Sequence, residues 1–370
     1  MIELNVFDLN FNRIGEISEY VNLEIQKNYY TYSELQLRIV NTPDTLKILQ
    51  ADNILTTTTN INYGYSIQHF EYNDDDSEIT IYAYSLNWLL TWRSILKQQT
   101  YYGNIEDAIK YYISTNAINP VNLYRIIPNL RLAENSGINT TVDTSKSGGE
   151  VSEYCFSLCE TNEISFDVLM NHKDKKYEVY TWQGLDRSTL QDINPHIIFS
   201  KEFENVTSQN YIYNNVDYKN VAVVAGEGED IDRTVAIAND SISGFARREV
   251  YIDARDIQSE YKDDDDNEVI LTAAEYNDLL IARGNESLAD YQPIETFESD
   301  IVDEQFVFGA DYGLGDKVSV RNDDIGRVLH TRVTKATITS NRNGVDIKTE
   351  FGSNIPTYSE KIVKKVVKYK

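Results

Sequence analysis

The chain has 370 residues, with 34 Lys and Arg against 59 Asp and Glu, and a formal net charge of −25. So acidic a composition argues against a nucleic-acid binder, which needs clustered cations to displace counterions from phosphates. A hydrophobic content of 41% excludes wholesale disorder, and a soft prior of ~150 residues per domain predicts two to three domains.

The first 95 residues read as β. Period-two alternation runs through residues 3–7, 35–39 and 79–84, the pattern of a half-buried antiparallel sheet. Residues 72–77 (Tyr-Asn-Asp-Asp-Asp-Ser) predict a hairpin turn. Thr42, Pro43 and Asp44 open a short helix with Leu46, Ile48 and Leu49 near one side. A helix is predicted over 104–115: Asn104 caps it, Glu106 and Asp107 suit its first turn, and Ile105, Ala108, Ile109, Tyr112 and Ile113 form the apolar face. Pro120 and Pro128 break the pattern. A second helix is predicted over 150–161, with Val151, Tyr154, Cys155, Leu158 and Cys159 facing inward. Strands over 165–169 and 177–182 flank a hairpin loop.

From residue 197 the β pattern returns. A strand over 216–224 leads into Gly226-Glu227-Gly228, and 244–256 is strand-rich. Residues 260–268 form the most polar insert and contain four successive aspartates, 263–266. Thr272 and Glu275 make a capping box for a helix that ends near Arg283, closed by Gly284. Strands are predicted at 306–308, 317–321, 329–340 and 345–351. The tail, 359–370, alternates Ile362, Val363, Val366 and Val367 with lysines. It suits either a short amphipathic element or a solvated end.

Catalytic signals are sparse. HExxH, GxSxG and a P-loop are all missing. Cys155 and Cys159 stand at i, i+4 on a helix. A metal would need two more soft ligands beside them, and a Cys–His hydrolase would need Cys155 against His172 or His196 in space; small apolar residues filling a core is the simpler reading. Gly226-Glu227-Gly228 lacks the third glycine and the Lys-Ser/Thr of a phosphate loop, and Glu227, Glu229 and Asp230 repel phosphate, so a tight turn is expected. The aspartates at 74–76 and 263–266 lack the alternation and central glycine of an EF-hand and read as solvated loops. Trp88, Trp92 and Trp182 lie in apolar, strand-like contexts rather than in an exposed aromatic groove. No catalytic, cofactor-binding or metal-ligating residue is therefore assigned. The first residues lack a basic, then apolar leader, and no apolar run approaches the ~20 residues of a membrane span. Two cysteines are too few for a disulfide framework, so synthesis in a cytoplasm is expected.

Several segments together resemble the hub proteins of phage tail tips: 210–230 (NYIYNNVDYKNVAVVAGEGED), 244–256 (GFARREVYIDARD), and 314–320 (LGDKVSV) running on through 328–351. Trp92-Arg93 and the two central helices agree with it. These hubs form the N-terminal, non-enzymatic part of tail-associated lysins and resemble the baseplate hub of contractile tails. The resemblance implies a mixed α+β, mainly β fold: two barrel-like antiparallel β domains with smaller α/β parts, and the chain interleaved between them. It implies a first β domain at 1–95 completed by 197–225, an α/β domain at 96–196 and an insert at 226–300. Closing strands at 301–355 and the Lys-rich tail at 356–370 complete the division. It implies a homotrimer in the virion, in contact with the distal tail protein, the tape measure protein and a downstream spike, fibre or lysin, with DNA passing through unbound. No room is expected past residue 355 for a lysin's hydrolytic domain, so the cell-wall-degrading activity of longer relatives is not carried over; the alternative readings are a cell-wall hydrolase or a glycan- or receptor-binding tail protein, and no cofactor is expected. Arg233, Arg247 and Arg248 are expected to pair with acids.

Overall fold

A computed structural model describes residues 1–42, 45–73, 77–262, 267–301 and 305–352. In chain order its first elements are β1 (Leu4–Phe7), β2 (Arg13–Ile17), β3 (Asn22–Asn28), β4 (Glu34–Val40), the single turn α1 (Thr45–Ile48), β5 (Ile54–Thr57), β6 (Asn60–Asn73) and β7 (Glu78–Ser85). A 3-10 helix, Leu86–Trp92, leads to β8 (Gln99–Asn104) and α2 (Ile105–Ile113). Then come β9 (Leu130–Leu132), β10 (Thr141–Lys146), α3 (Val151–Thr161), β11 (Ser165–Asn171), β12 (Lys176–Trp182), β13 (Ile198–Phe199) and β14 (Val206–Asn214). The rest comprises β15 (Val221–Ala225), β16 (Val235–Ala238), β17 (Glu249–Asp253), β18 (Glu260–Lys262), β19 (Glu268–Ile270), α4 (Ala273–Ala289), β20 (Ile294–Ile301), β21 (Lys317–Asn322), β22 (Arg327–Asn341) and β23 (Gly344–Gly352).

The chain divides into two compact units, each assembled from three separate stretches. One comprises residues 1–183, 218–292 and 337–346; the other comprises 184–217, 293–336 and 347 onward. The fold is mixed α+β and mainly β, as expected, with the chain interleaved. Its sheets are largely antiparallel, and none closes into a barrel among the described residues.

In the first unit, β3, β4, β7, β6, β5, β1 and β2 pair in that order, each antiparallel to its neighbour. The alternation that predicted β4 and β7 also sets their register. Ile79, Ile81 and Ala83 of β7 turn inward opposite Ile39, Leu37 and Leu35 of β4. A slip of one residue would turn that apolar row to solvent. Their core continues through Leu4, Val6, Leu23, Ile25 and Ile67. A second core forms where α2 and α3 meet β11 and β12. Ile105, Ile109, Tyr112 and Ile113 of α2 meet Val151, Tyr154, Cys155, Leu158 and Cys159 of α3 there. Asn104 caps α2 by accepting from the Glu106 N–H at 2.8 Å. In the insert, β15 pairs antiparallel with β16 and parallel with β17, and α4 covers them through Tyr276, Leu279, Leu280 and Leu288.

In the second unit, β14 pairs with β20 and β20 with β23, while β21 pairs with both β22 and β13. Phe199, Phe297, Val318, Val320, Val333 and Phe351 fill its core.

Several predicted elements shift. The hairpin at 72–77 forms, with Asn73 paired to Glu78, although residues 74–76 lie outside the described residues. Pro43 and Asp44 lie outside them as well; Thr42 accepts from the Thr45 N–H at 3.1 Å and starts α1, but Leu46 faces solvent. The strand expected at 216–224 begins only at Val221, because Val216 is exposed in the preceding loop. The polar insert 260–268 is itself a hairpin, β18 with β19; its tip, 263–266, is not described. The predicted tail at 359–370 is not described either. β8, β10, β14 and β20 escaped prediction. Their faces are largely polar or aromatic, and their pairing comes from distant partners.

The capping box of α4 forms, with Thr272 and Glu275 bonded reciprocally, but the helix does not stop at Gly284. It runs through to Ala289, because Gly284 is where the helix presses against the sheet. A Cβ there would lie 2.8 Å from Val224 Cγ2 and 3.0 Å from Ala238 Cβ. The substitution Gly284→Val is expected to overpack this contact and cost about 1–3 kcal/mol. A urea titration of the variant checks this; an unchanged midpoint would contradict the packing role.

Candidate functional site

The sequence's chemical candidates settle into structural roles. Cys155 and Cys159 sit one turn apart on the buried face of α3, both unpaired. Burial pushes both thiols up, which suppresses the reactive thiolate. His172 keeps other company. Its ring packs on Phe7 and Phe11 at centroid distances of 4.9 and 5.8 Å, and its Nε2 lies 2.7 Å from the Ile61 carbonyl. His196 belongs to the second unit, where its Nε2 approaches the Gln191 carbonyl at 2.5 Å. No Cys–His pair is assembled. Among the described residues, no group of three or more His, Cys, Asp or Glu side chains could hold a metal ion.

Gly226-Glu227-Gly228 is a tight corner, as expected, and not a phosphate cradle. Gly228 has φ +95°, the left-handed region that favours glycine. The Tyr276 hydroxyl accepts from the Glu227 N–H at 2.8 Å and donates to the Ile257 carbonyl at 2.9 Å. Glu227 in turn accepts from the Ser259 N–H at 3.1 Å. Arg233 closes the corner, donating to the Ala225 and Gly226 carbonyls and to Asp253 at 2.7 Å. Its pairing, and that of Arg247 with Glu249 and Asp240, agrees with the expectation that Arg233 and Arg247 meet acids. Arg248 lies over the Tyr218 ring at 5.4 Å. The hydrogen bonds from Arg255, with Arg233 nearby, hold the Asp253 carboxyl down at about 2.

Two polar centres went unread in the sequence. Glu106, in the first turn of α2, is fully buried and accepts from the N–H groups of Ser136, Gly137 and Ile138 at 2.8, 2.9 and 2.7 Å. The Thr181 hydroxyl donates to it as well. Burial alone would push the Glu106 carboxyl up; the bonds from Thr181 and the three backbone donors outweigh it and hold the group below the usual carboxylate range. The second centre is Asp167 on β11, which accepts from the Trp182 indole at 2.9 Å and the Tyr63 hydroxyl at 3.0 Å. Burial pushes its carboxyl up, and these donors with the nearby Lys27 recover only part of the shift. Sequence signals for Glu106 existed, since it sits at N2 of a capped helix. Those for Asp167 did not, because its partners are 15 and 104 residues away. Both centres hold structure together and neither opens onto a cleft.

An open concavity in the first unit is lined by Tyr218, Asn220, Asn239, Ile242, Asn285, Leu288, Ala289 and Gln292. It contains no carboxylate, imidazole or thiol. Asn220 is committed to the Ala246 carbonyl and the Arg248 N–H, and Gln292 to the Leu288 carbonyl. Trp88 and Trp92 lie on the 3-10 helix and not on a strand; Trp182 lies on β12 with its indole spent on Asp167.

The fold matches a tail protein from Neisseria meningitidis MC58 (TM-score 0.53, 12% identity, 95% of this chain and 96% of that one). It also matches the 43 kDa tail protein of prophage MuSo2 from Shewanella oneidensis (TM-score 0.56, 9% identity, 94% and 98%). A third match is prophage tail protein gp18 from Listeria monocytogenes EGD-e (TM-score 0.55, 8% identity, 99% and 98%). Residues 3–353 match the family described as Siphovirus ReqiPepy6 Gp37-like protein, and the chain belongs to that family. No curated protein sequence matches it. The phage-tail resemblance drawn from 210–230, 244–256 and 314–351 is thus borne out.

Two outcomes are expected from these braces. Glu106→Gln is expected to lower stability at pH 7 by about 1–3 kcal/mol, because a buried ion with four donors becomes a mismatched amide. The folded carboxyl lies below its unfolded value of ~4.3, so its contribution is complete above that value and is lost as pH falls through the folded one. Wild type is therefore expected to lose more stability than the variant between pH 7 and pH 3, read from urea midpoints. Separately, neither cysteine is expected to react with a thiol reagent in the native protein, and both are expected to react in denaturant. Fast native labelling of Cys155 or Cys159 would overturn the core assignment.

Proposed function

We propose that this protein is the structural hub of a phage or prophage tail tip. In this reading three copies form a ring around a central channel. The ring joins the distal tail protein and the tail tube to a downstream spike, fibre or lysin, and lets the tape measure protein and DNA pass. Membership of a siphovirus tail-protein family over nearly the whole chain carries the reading. The excess of 25 negative charges supports passage without capture, because such a surface offers phosphates few cations. The bonded Asn220 and Gln292 side chains of the hollow and the buried thiols support a structural role in place of hydrolysis.

Light scattering after size exclusion tests this directly. The expected result is a stable mass of three chains, with rings visible by negative-stain microscopy. A single-chain mass at every concentration up to the solubility limit would count against the ring, and release of soluble fragments from cell walls would count against the structural role.

A further inference from the structure

Most exposed apolar side chains on this molecule are scattered, but one group is concentrated and rigidly held. After α2 the chain passes through a π-helical turn, Ser114–Ile118, and a short 3-10 turn, Leu123–Arg125, in which no residue is buried. Leu123 is 74% exposed and Tyr124 98%. Beside them lie Trp92, 45% exposed, and Leu96, 65% exposed. The two stretches are tied by their arginines: Arg93 donates to the carbonyls of Arg125 and Ile126, and Arg125 donates to the Ser94 carbonyl. The Ile127 N–H is anchored to the Ala117 carbonyl at 2.8 Å. The backbone is therefore fixed while the apolar side chains meet solvent. A preorganised display of this kind costs little entropy when it is covered.

The charges sharpen the point. The chain carries 59 acids, yet among the described residues neither Arg93 nor Arg125 has a carboxylate partner. Their guanidinium groups spend their donors on carbonyl oxygens, so two positive charges stand uncompensated within an apolar patch. Aromatic residues and arginine at the centre of an apolar surface are the composition of a protein interface. The opposite combination occurs on the insert, where Ile231, 98% exposed, stands between Asp230 and Asp232 on an exposed turn.

We propose that the patch of Trp92, Leu96, Leu123 and Tyr124, with Arg93 and Arg125, is a subunit contact that receives the acidic turn around Ile231 of a second copy of this chain. The inference rests on the ring reading above and assigns the surfaces that build the ring. Two different patches that fit each other make a head-to-tail contact, and repetition of such a contact closes a ring when the rotation permits. The apolar side chains supply burial, and the arginines meeting Asp230 and Asp232 fix the register.

The test is a charge-swap set read by light scattering on the full chain. The paired substitution Arg93→Glu with Arg125→Glu is expected to raise the subunit dissociation constant by about 100-fold or more, and Asp230→Arg with Asp232→Arg to do the same. All four together are expected to restore assembly. Because Arg93 also braces its own loop, a second variant, Leu123→Asp with Tyr124→Asp, alters only exposed side chains and is expected to dissociate the oligomer with an unchanged thermal midpoint. A wild-type oligomer that survives Leu123→Asp with Tyr124→Asp would overturn the surface assignment and leave the ring reading standing. A wild type that is a single chain at every concentration would remove the ring reading, and this inference with it.

Discussion

The Glu106 carboxylate is the constraint around which the α/β part of the first unit is organised. A charge with no solvent contact is tolerated only when donors replace water, and here three consecutive backbone N–H groups and a hydroxyl do so. That requirement ties α2 to the loop at 136–138 and to β12 at Thr181. Lys110, one turn further along α2, reinforces the same strap by donating to the Ala133 carbonyl at 2.9 Å. With α2 fixed, its apolar face sets where α3 packs, and α3 in turn supports β11. Asp167 repeats the device on β11, where it joins Tyr63 of β6 to Trp182 of β12.

Other carboxylates among the described residues are engaged within the protein in the same way. Glu227 braces a corner, Asp253 holds Arg233 and Arg255, and Asp316 pairs with Arg187 at 2.9 Å while accepting from the Leu185 N–H. Each of these carboxylates is engaged by a donor from its own unit. A general acid or base needs a group held ready for substrate in a cleft. The open hollow is lined by Tyr218, amides and aliphatic groups, and its Asn220 and Gln292 amides are bonded within the protein.

The legibility of the sequence followed the range of the forces involved. Period-two alternation found β4 and β7, because one face of each is buried and the other is open to water, and it found β1 although all four of its residues are buried. The caps at Asn104 and Thr272 were legible because a capping side chain lies within three residues of the N–H it accepts from. Gly284 misled the reading: glycine commonly ends a helix, but here it lets the helix approach Val224 and Ala238. Strand β20 was invisible because its partners, β14 and β23, lie some 50 to 90 residues away in sequence. The lone candidates Cys155, Cys159, His172 and His196 could be listed from the sequence but not placed, since only the folded chain decides whether they meet.

Composition, alternation and short-range capping by themselves determined an acidic, mainly β chain with three principal helices, and the order of its segments carried the resemblance to tail proteins. These properties depend on neighbours within a turn of helix or along a single strand. The tertiary structure alone decided that three separated stretches make each unit, that Glu106 and Asp167 are braces, and that Arg93 and Arg125 come together without a carboxylate. Those outcomes depend on contacts between residues far apart in the chain, and no local pattern encodes the distance that folding removes.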